Sequence, residues 1–266
     1  MAIHEQEAAA IVQSLLRAGE AAQPITLPDD FGERCSPAQA RNLQAAHALG
    51  VMSHLGGEIV GFKIGGTTEA GLQRLGLNCP FTGPIFSARR HRSGARLRRD
   101  QLIVCIVEAE VGVTLTRDVT PHSGVPNRGE LLYLIDALCP AIELADSRLA
   151  DWSSAAAAAV VADLGFAGAW VQGEPCADWR GIDLIDHAVS LQVDGEVLRR
   201  GTGATVLGDP LRSLQLVLAD RVARGESVRA GQWISTGSWT APLPLPGKGR
   251  LHADFGALGS VHVELV

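Results

Sequence analysis

"LIVCIVEAEVGVTLT", residues 102–116, is an apolar run interrupted by two glutamates, Glu108 and Glu110. Its length and its β-branched residues predict a buried strand. Side chains two residues apart in a strand point to the same face, so the two carboxylates share one face. We expect the same face to carry three apolar residues, Leu102, Val104 and Ile106. Buried carboxylates are costly and neighbouring ones repel, so either a partner compensates them or this face lies in water.

A third carboxylate, Glu143, lies in the similarly apolar segment PAIELADSRLADW, residues 140–152. A lysine or arginine could compensate such a group. A hard divalent cation such as Mg²⁺ or Mn²⁺, which prefers oxygen ligands, would do so better. Only two of the 23 basic residues are lysines, Lys63 and Lys248. Since lysine gives up its proton more readily than arginine, a retained lysine weakly indicates a chemical role. We also predict an ion pair between Asp146 and Arg148 that braces the Glu143 segment.

The composition is that of an ordinary globular protein, with 46% hydrophobic and 20% charged residues in a chain of 266. The formal net charge of −6 gives no indication of binding to nucleic acid or to an anionic membrane. Five cysteines without a CxxC motif favour a reducing compartment. There is no secretory signal pattern and no apolar run of the roughly 18–20 residues that a membrane helix needs. We therefore expect a cytoplasmic protein.

The sequence pattern changes from helical to β-rich near residue 57. Before it, residues 5–20 and 36–55 predict two helices, the second with Ser36 as N-cap and Pro37 at the first helical position. After it, short β-rich runs alternate with turns, including a hairpin through Asp194-Gly195. Residues 153–163 predict a short alanine-rich helix, and residues 209–226 an amphipathic one. We divide the chain into a helical N-terminal part, residues 1–57, and a larger strand-rich domain, residues 58–266.

Five motifs occur in an order that resembles a known family. They are GFKIGGT at 61–67, VEAEVGV at 107–113, PAIELADSRLADW at 140–152, GTGATVLGDPLRSLQLVLA at 201–219, and the C-terminal GSWTAPLPLPGKG with ADFGALGSVHVEL. The chain resembles the 2-hydroxypentadienoate (2-keto-4-pentenoate) hydratase and 4-oxalocrotonate decarboxylase family, within the fumarylacetoacetate hydrolase-like superfamily. The resemblance covers nearly the whole chain. It implies an α+β fold in which N-terminal helices precede a mixed β-sandwich roll, and a homo-oligomer.

The resemblance also assigns site residues. It implies Glu108, Glu110 and Glu143 as ligands of Mg²⁺ or Mn²⁺, and Lys63 as the active-site lysine. It places the loop STGSWT, residues 235–240, near the substrate carboxylate. From that loop the candidate substrate-binding residues are Thr236, Gly237 and Ser238.

Two departures from the family pattern affect proton transfer. The family's P-D-[FY]-G element reads Pro80-Phe81-Thr82-Gly83 here, so its aspartate is missing. Its A-D-N element reads Ala162-Asp163-Leu164, so its asparagine is missing. Phe81 and Leu164 thereby become candidate substrate-binding residues. Thr82 and Asp163 become candidate catalytic residues, with a turn residue and a helix-end residue as the respective structural alternatives.

The resemblance implies a metal-dependent lyase that hydrates a 2-hydroxy-2,4-dienoate or its 2-oxo-4-enoate tautomer through a metal-stabilised dienolate. Decarboxylation of a 2-oxo-enedioate is the alternative. A tautomerase or C–C hydrolase acting on another 2-oxo acid, and a non-catalytic partner subunit, stay open because of the missing aspartate. The expected partner is a small 2-oxo or 2-hydroxy-dienoic acid.

Overall fold

The computed structural model describes residues 2–266 and is an α+β protein, as predicted. Its seven helices in this range are α1 (Glu5–Ala21), α2 (Phe31–Arg34), α3 (Pro37–Leu55), α4 (Glu69–Leu75), α5 (Arg128–Leu134), α6 (Ala157–Ala162) and α7 (Pro210–Ala223). Its strands are β1 (Ile59–Gly65), β2 (Phe81–Phe86), β3 (Arg90–Arg92), β4 (Ala95–Leu97), β5 (Ile106–Leu115), β6 (Ile135–Ala145), β7 (Ala169–Gln172), β8 (Ala188–Val193), β9 (Glu196–Thr202), β10 (Trp233–Ser238), β11 (Leu243–Pro244), β12 (Gly249–Asp254) and β13 (Ser260–Leu265).

Local sequence signals account for several of these boundaries. Helix α3 begins with a capping box between Ser36 and Gln39 and has proline in its first turn. Strands β8 and β9 form the predicted hairpin, and both Asp194 and Gly195 have positive φ, as a tight two-residue turn requires. Helix α6 is shorter than predicted and begins at Ala157. Strand β5 begins at Ile106, after Cys105 with φ of 57°, so the prediction that Leu102 and Val104 share the glutamate face of the strand was wrong.

The larger sheet curls upon itself. Its strand order is β2-β1-β10-β5-β6-β7-β3, with β11 added to β5. Seven flat strands would place β2 and β3 about 29 Å apart, at the usual spacing. Only Ser87–Arg89 connects these two edge strands, and four Cα steps span at most about 15 Å. The sheet therefore has an inner and an outer face, and Ile85 of β2 reaches Trp170 of β7 across the inside.

The outer face of the curled sheet carries the main core. Residues such as Phe62, Ile64 and Val111 pack there against the second sheet, ordered β4-β13-β12-β8-β9, and against α7. This arrangement is the predicted sandwich of a roll and a sheet. The N-terminal helices form another core together with residues 149–162. The proposed boundary at residue 57 falls between α3 and β1 and stays a prediction.

None of the helices described over residues 2–266 has the length and apolar character needed to span a lipid bilayer.

Candidate active site and metal centre

The inner face of the curled sheet brings Lys63 and three glutamates together. Lys63 lies on β1, Glu108 and Glu110 on β5, and Glu143 on β6. Glu108 is directly opposite Glu143 in the antiparallel ladder, which explains why carboxylates far apart in sequence meet. One carboxylate oxygen from each glutamate lies within 4.8 Å of the others. The sequence-predicted ligand set therefore forms one compact cluster.

The polar atoms of this cluster are only partly paired. Lys63 Nζ lies 3.0 Å from Glu143 Oε1. Ser235 donates its hydroxyl hydrogen to Glu110 Oε2, and Trp170 Nε1 donates to Ser235 Oγ at 3.3 Å. Among the described residues, no donor reaches Glu110 Oε1 or Glu143 Oε2, although both atoms are buried. Buried acceptors without donors are costly, so the cluster has room for a positive partner in addition to Lys63.

The charges of the cluster shift one another's proton affinity. Burial, reinforced by Glu143, raises the pKa of Glu108 to about 7, although Lys63 opposes the shift. Burial also raises the pKa of Glu110 well above its usual value, with further contributions from Glu143 and Glu108. Burial alone would lower the pKa of Lys63, but the three carboxylates outweigh it and raise that pKa. With all three carboxylates ionised, the single ammonium would leave an excess of negative charge, and the raised pKa values of Glu108 and Glu110 reflect this repulsion.

This donor set fits a hard divalent cation. The three ligands are all carboxylates, the type that Mg²⁺ and Mn²⁺ prefer, and two of their oxygens have no hydrogen-bond donor. Glu110 and Glu143 are fully enclosed, whereas Glu108 keeps a partly accessible edge. A cation held here would therefore be open to a small molecule on the Glu108 side.

A strained segment covers the cluster next to Lys63. Leu164, Gly165 and Phe166 are three successive residues with positive φ, at 58°, 61° and 63°. Such values are unusual for bulky side chains and indicate strain that the surroundings hold in place. The carbonyl of Leu164 packs directly on Gly83, where a Cβ would collide with it and lie 3.5 Å from Lys63 Cε. Glycine at position 83 therefore permits this close approach.

A buried ion pair holds the strained segment at both ends. Arg148 Nε donates to Asp163 Oδ1 at 2.5 Å, and its other two nitrogens donate to the carbonyls of Asp163 and Ala167. Asp163 Oδ2 accepts from Ser147 Oγ and from the Arg148 amide. The predicted pair between Asp146 and Arg148 was wrong. Asp146 instead accepts a hydrogen bond from the Val104 amide at 2.8 Å, which fixes the start of β5.

Comparison with known proteins identifies the family. The chain is 36% identical over 207 residues, 77% of its length, to the 2-keto-4-pentenoate hydratase of Burkholderia vietnamiensis (strain G4 / LMG 22486), of which it covers 78%. It is 30% identical over 257 residues, 95% of its length, to the 2-keto-4-pentenoate hydratase of Paraburkholderia xenovorans (strain LB400), of which it covers 92%. The chain belongs to the 2-keto-4-pentenoate hydratase and 4-oxalocrotonate decarboxylase family. No protein-family model matches it.

A solved structure of the decarboxylase branch of the family has the same fold. The 4-oxalocrotonate decarboxylase of Pseudomonas putida G7, in complex with magnesium and adipate, superimposes with a TM-score of 0.89 at 27% identity. The match covers 99% of this chain and 98% of that one. The family resemblance and the fumarylacetoacetate hydrolase-like fold expected from the sequence are thereby confirmed.

The two residues at the altered P-D-[FY]-G element of the family lie on opposite faces of β2. Phe81 is opposite Gly65, and its ring packs against Gly65 and Gly165 beside Lys63. Thr82, the next residue, points to the other face of β2. It is opposite Ile64, whose side chain lies in the main core on the outer face of the sheet. Phe81 is therefore the one of the two that shares the face of Lys63, and its contact with substrate stays a prediction. The catalytic roles predicted for Thr82 and Asp163 stay predictions, and the Asp163 contacts favour its structural alternative.

Three predicted residues of β10 lie close to the cluster, in different roles. Ser238 is paired with Glu110 across a bulge and donates to the Thr240 carbonyl. Thr236 points to the outer face, where it donates to the Val111 carbonyl. Gly237 has φ of 102°, and any Cβ there would collide with Thr67. Their substrate contacts stay predictions.

Sequence reasoning assigned no individual role to three residues that shape the site, namely Gly83, Trp170 and Ser235, and it gave Arg148 the wrong partner. Ser235 points to the inner face, because its neighbour Thr236 points to the outer one. It lies directly opposite Lys63 in the parallel β1–β10 ladder. The sequence does not show that register, and it gives no signal that Trp170 is paired with Glu143.

Proposed function

We propose that this protein is a divalent-metal-dependent lyase that hydrates a 2-hydroxy-2,4-dienoate or its 2-oxo-4-enoate tautomer. The observation that carries the proposal is the buried cluster of Glu108, Glu110 and Glu143 with unpaired oxygens beside Lys63. The names of the hydratase relatives supply the substrate class. A pure scaffold has no use for such a costly cluster, so a non-catalytic partner subunit is the weaker explanation.

The chain's own residues have distinct tasks in this proposal. A bound Mg²⁺ or Mn²⁺ ion would supply Lewis-acid polarisation of the substrate's 2-oxo group. Lys63, held 3.0 Å from Glu143 Oε1, is placed to carry a proton at Nζ on the inner face. Ser235 orients the Glu110 carboxylate. The segment 164–166 and Phe81 limit the access of water beside Lys63.

Decarboxylation of a 2-oxo-enedioate is the second candidate. The similarity to the decarboxylase of Pseudomonas putida G7 over 99% of this chain favours it. Hydration needs acid–base groups that deliver a water, whereas loss of CO₂ needs fewer of them. Other reactions of a 2-oxo acid, such as tautomerisation or C–C hydrolysis, would use the same inner face.

One assay separates these candidates. Purified protein is mixed with 2-hydroxypenta-2,4-dienoate or with 2-oxohex-3-enedioate, and the loss of ultraviolet absorbance is followed with Mn²⁺ and then with EDTA. We expect dienoate loss that needs both the metal and Lys63, with Lys63→Met as the test variant and Lys248→Met as the matched control. Loss of the enedioate with CO₂ release would instead establish the decarboxylase. If neither substrate reacts although Mn²⁺ binds, the hydratase proposal is wrong.

The proposal includes a cytoplasmic location and a homo-oligomer. Free cysteines at all five positions suit a reducing compartment. Exposed apolar side chains support self-association, with Tyr133 84% and Leu49 64% exposed. Light scattering of the purified protein would measure the assembly.

A further inference from the structure

Arg89 is a cation for which the protein provides no close partner. It ends the turn Ser87–Arg89 that closes the curled sheet, and its side chain is partly buried. Within residues 2–266, its guanidinium makes no hydrogen bond and has no carboxylate within 4 Å, although Asp146 acts on it from a greater distance. Burial, together with the charge of Arg148, lowers the pKa of Arg89. A poorly solvated guanidinium of this kind favours an anionic ligand.

Two voids meet at Arg89. One is a hollow of about 10 Å³, also lined by Lys63 and Glu143, which is the size of one water molecule. The other is a cavity of about 560 Å³ between the N-terminal helices and residues 88–102. Gly168 and Ala169 line both voids together with Arg89. We call the larger one the Arg89 cavity; neither Lys63 nor any of the three glutamates lines it.

The charges around the Arg89 cavity suit a ligand with a single carboxylate. The other arginines of its wall are already paired, Arg98 with Asp100 and Arg148 with Asp163, and His54 lies 3.3 Å from Glu20. Burial keeps the two remaining histidines uncharged, because it lowers the pKa values of His47 and His91. Arg89 is therefore the one unpaired cation among the residues that line this cavity.

The rest of the wall suits an alkyl chain. Apolar side chains from α1, α3 and the 97–102 segment line the cavity, namely Leu15, Leu16, Val51, Leu55, Leu97 and Leu102. The volume lies within the range of small-molecule sites. The carboxylate of a short aliphatic acid would pair with the Arg89 guanidinium, and its alkyl chain would be buried against these apolar residues.

We propose that the Arg89 cavity is a binding site for a small aliphatic monocarboxylate, separate from the metal-dependent site. The proposal does not depend on the lyase reaction. It requires binding that needs the Arg89 charge and that occurs without metal. In metal-free protein no metal ion can hold a carboxylate at the glutamate cluster, and the Arg89 and Gly19 variants below assign any binding to the Arg89 cavity.

The test is isothermal titration of the metal-free protein with hexanoate in EDTA. We expect saturable binding to the wild type, and a loss of at least tenfold in affinity for Arg89→Gln. Arg98→Gln removes a charge from the same cavity wall but a paired and exposed one, so it should stay within twofold of the wild type. Hexan-1-ol, which lacks the charge, should not compete.

A second variant keeps the test decisive if Arg89→Gln does not fold. Gly19 lies on α1 at the cavity wall, and a Cβ there would meet only the Arg148 side chain, at 3.7 Å. Gly19→Leu should therefore place an apolar side chain inside the cavity and weaken hexanoate binding with Arg89 intact. Absence of binding to the wild type would overturn the proposal. Equal affinity of Gly19→Leu and the wild type would also overturn it.

Discussion

Two buried charge clusters lie on either side of the strained segment 164–166, and they differ in one respect. The Arg148–Asp163 pair and the Lys63–glutamate cluster are both nearly inaccessible, and burial raises the pKa of carboxylates in both. Burial alone therefore does not distinguish them. In the first pair all three Arg148 side-chain nitrogens and both Asp163 oxygens have partners. In the second, Glu110 Oε1 and Glu143 Oε2 have none within residues 2–266.

The difference supports a structural role for the Arg148–Asp163 pair and the proposed metal-binding role for the glutamate cluster. A buried pair with every polar atom satisfied holds the backbone in place, and breaking it is costly. Buried carboxylate oxygens without donors lower the stability of the fold. Such a cluster is understandable if a cation binds to these oxygens. The following substitutions test this distinction.

The largest expected effect is on stability and falls on the satisfied pair. Asp163→Asn should lower the free energy of unfolding by about 3–5 kcal/mol, because it leaves the buried Arg148 without its counter-charge. Chemical denaturation of both proteins measures the difference. Asp151→Asn, at an exposed position nearby, is the control and should change stability by less than about 0.5 kcal/mol. A loss below 1 kcal/mol for Asp163→Asn would contradict a structural role.

Removing a charge from the Lys63–glutamate cluster should instead raise the stability of the metal-free protein. Glu110→Gln should raise the free energy of unfolding of metal-free protein by about 1 kcal/mol or more. The reason is that burial raises the pKa of Glu110, so at neutral pH the folded state bears the cost of a charge or of its protonation. The same variant should lose at least about 100-fold in Mn²⁺ affinity, because one carboxylate ligand is gone. Denaturation and Mn²⁺ titration check the two effects, and a destabilised variant would refute the comparison.

The free energy of unfolding should depend on pH through His47, which lies beside the Arg148–Asp163 pair. Burial, followed by the charges of Arg148 and Arg89, lowers the pKa of His47 to about 3. The unfolded chain binds this proton near pH 6.5 and the folded chain does not, so stability falls as the pH decreases from about 6.5 towards 3. The slope reaches about 1.4 kcal/mol per pH unit. His47→Gln should lose that part of the slope in denaturation series, and an unchanged slope would rule His47 out.

The smallest expected effect concerns the one hydroxyl that supports the metal cluster. Ser235→Ala removes the donor to Glu110 Oε2 and leaves the carboxylate less well oriented. We expect about a tenfold loss of Mn²⁺ affinity, as for other residues that orient ligands. Ser238→Ala is a suitable control, since its hydroxyl donates to the Thr240 carbonyl. Equal losses in both variants would show a general disturbance of β10.

The sequence predicted the residues of the metal cluster better than the residues that hold it. Glu108 and Glu110 stand out because charges two residues apart interrupt an apolar strand. Glu143 also interrupts an apolar segment, Lys63 is one of only two lysines, and the resemblance supplied their roles. Local signals, such as the Ser36 cap and the Asp194-Gly195 turn, are also readable without tertiary contacts. Both kinds of evidence depend on neighbours along the chain.

The wrong predictions concern features that depend on tertiary contacts. Asp146 was paired with Arg148 because the two are close in sequence, yet Asp163, at the end of α6, takes the arginine instead. The extended face assigned to Leu102 and Val104 ignored a left-handed residue at Cys105, which ends the strand pattern before Ile106. Neither the partner of a buried arginine nor a break in a strand is encoded in hydrophobic periodicity.

The parallel pairing of β1 with β10 has a consequence for how the protein is made. Lys63 is paired with Ser235, so most of the chain must be synthesised before the curled sheet can close. Contacts this distant in sequence form slowly, because a long loop must close first. The nascent chain therefore exposes Glu108, Glu110 and the apolar inner strands until β10 arrives. A chain that stops before residue 233 lacks the strand that joins Lys63 on β1 to the glutamates on β5, so the complete cluster forms late in folding.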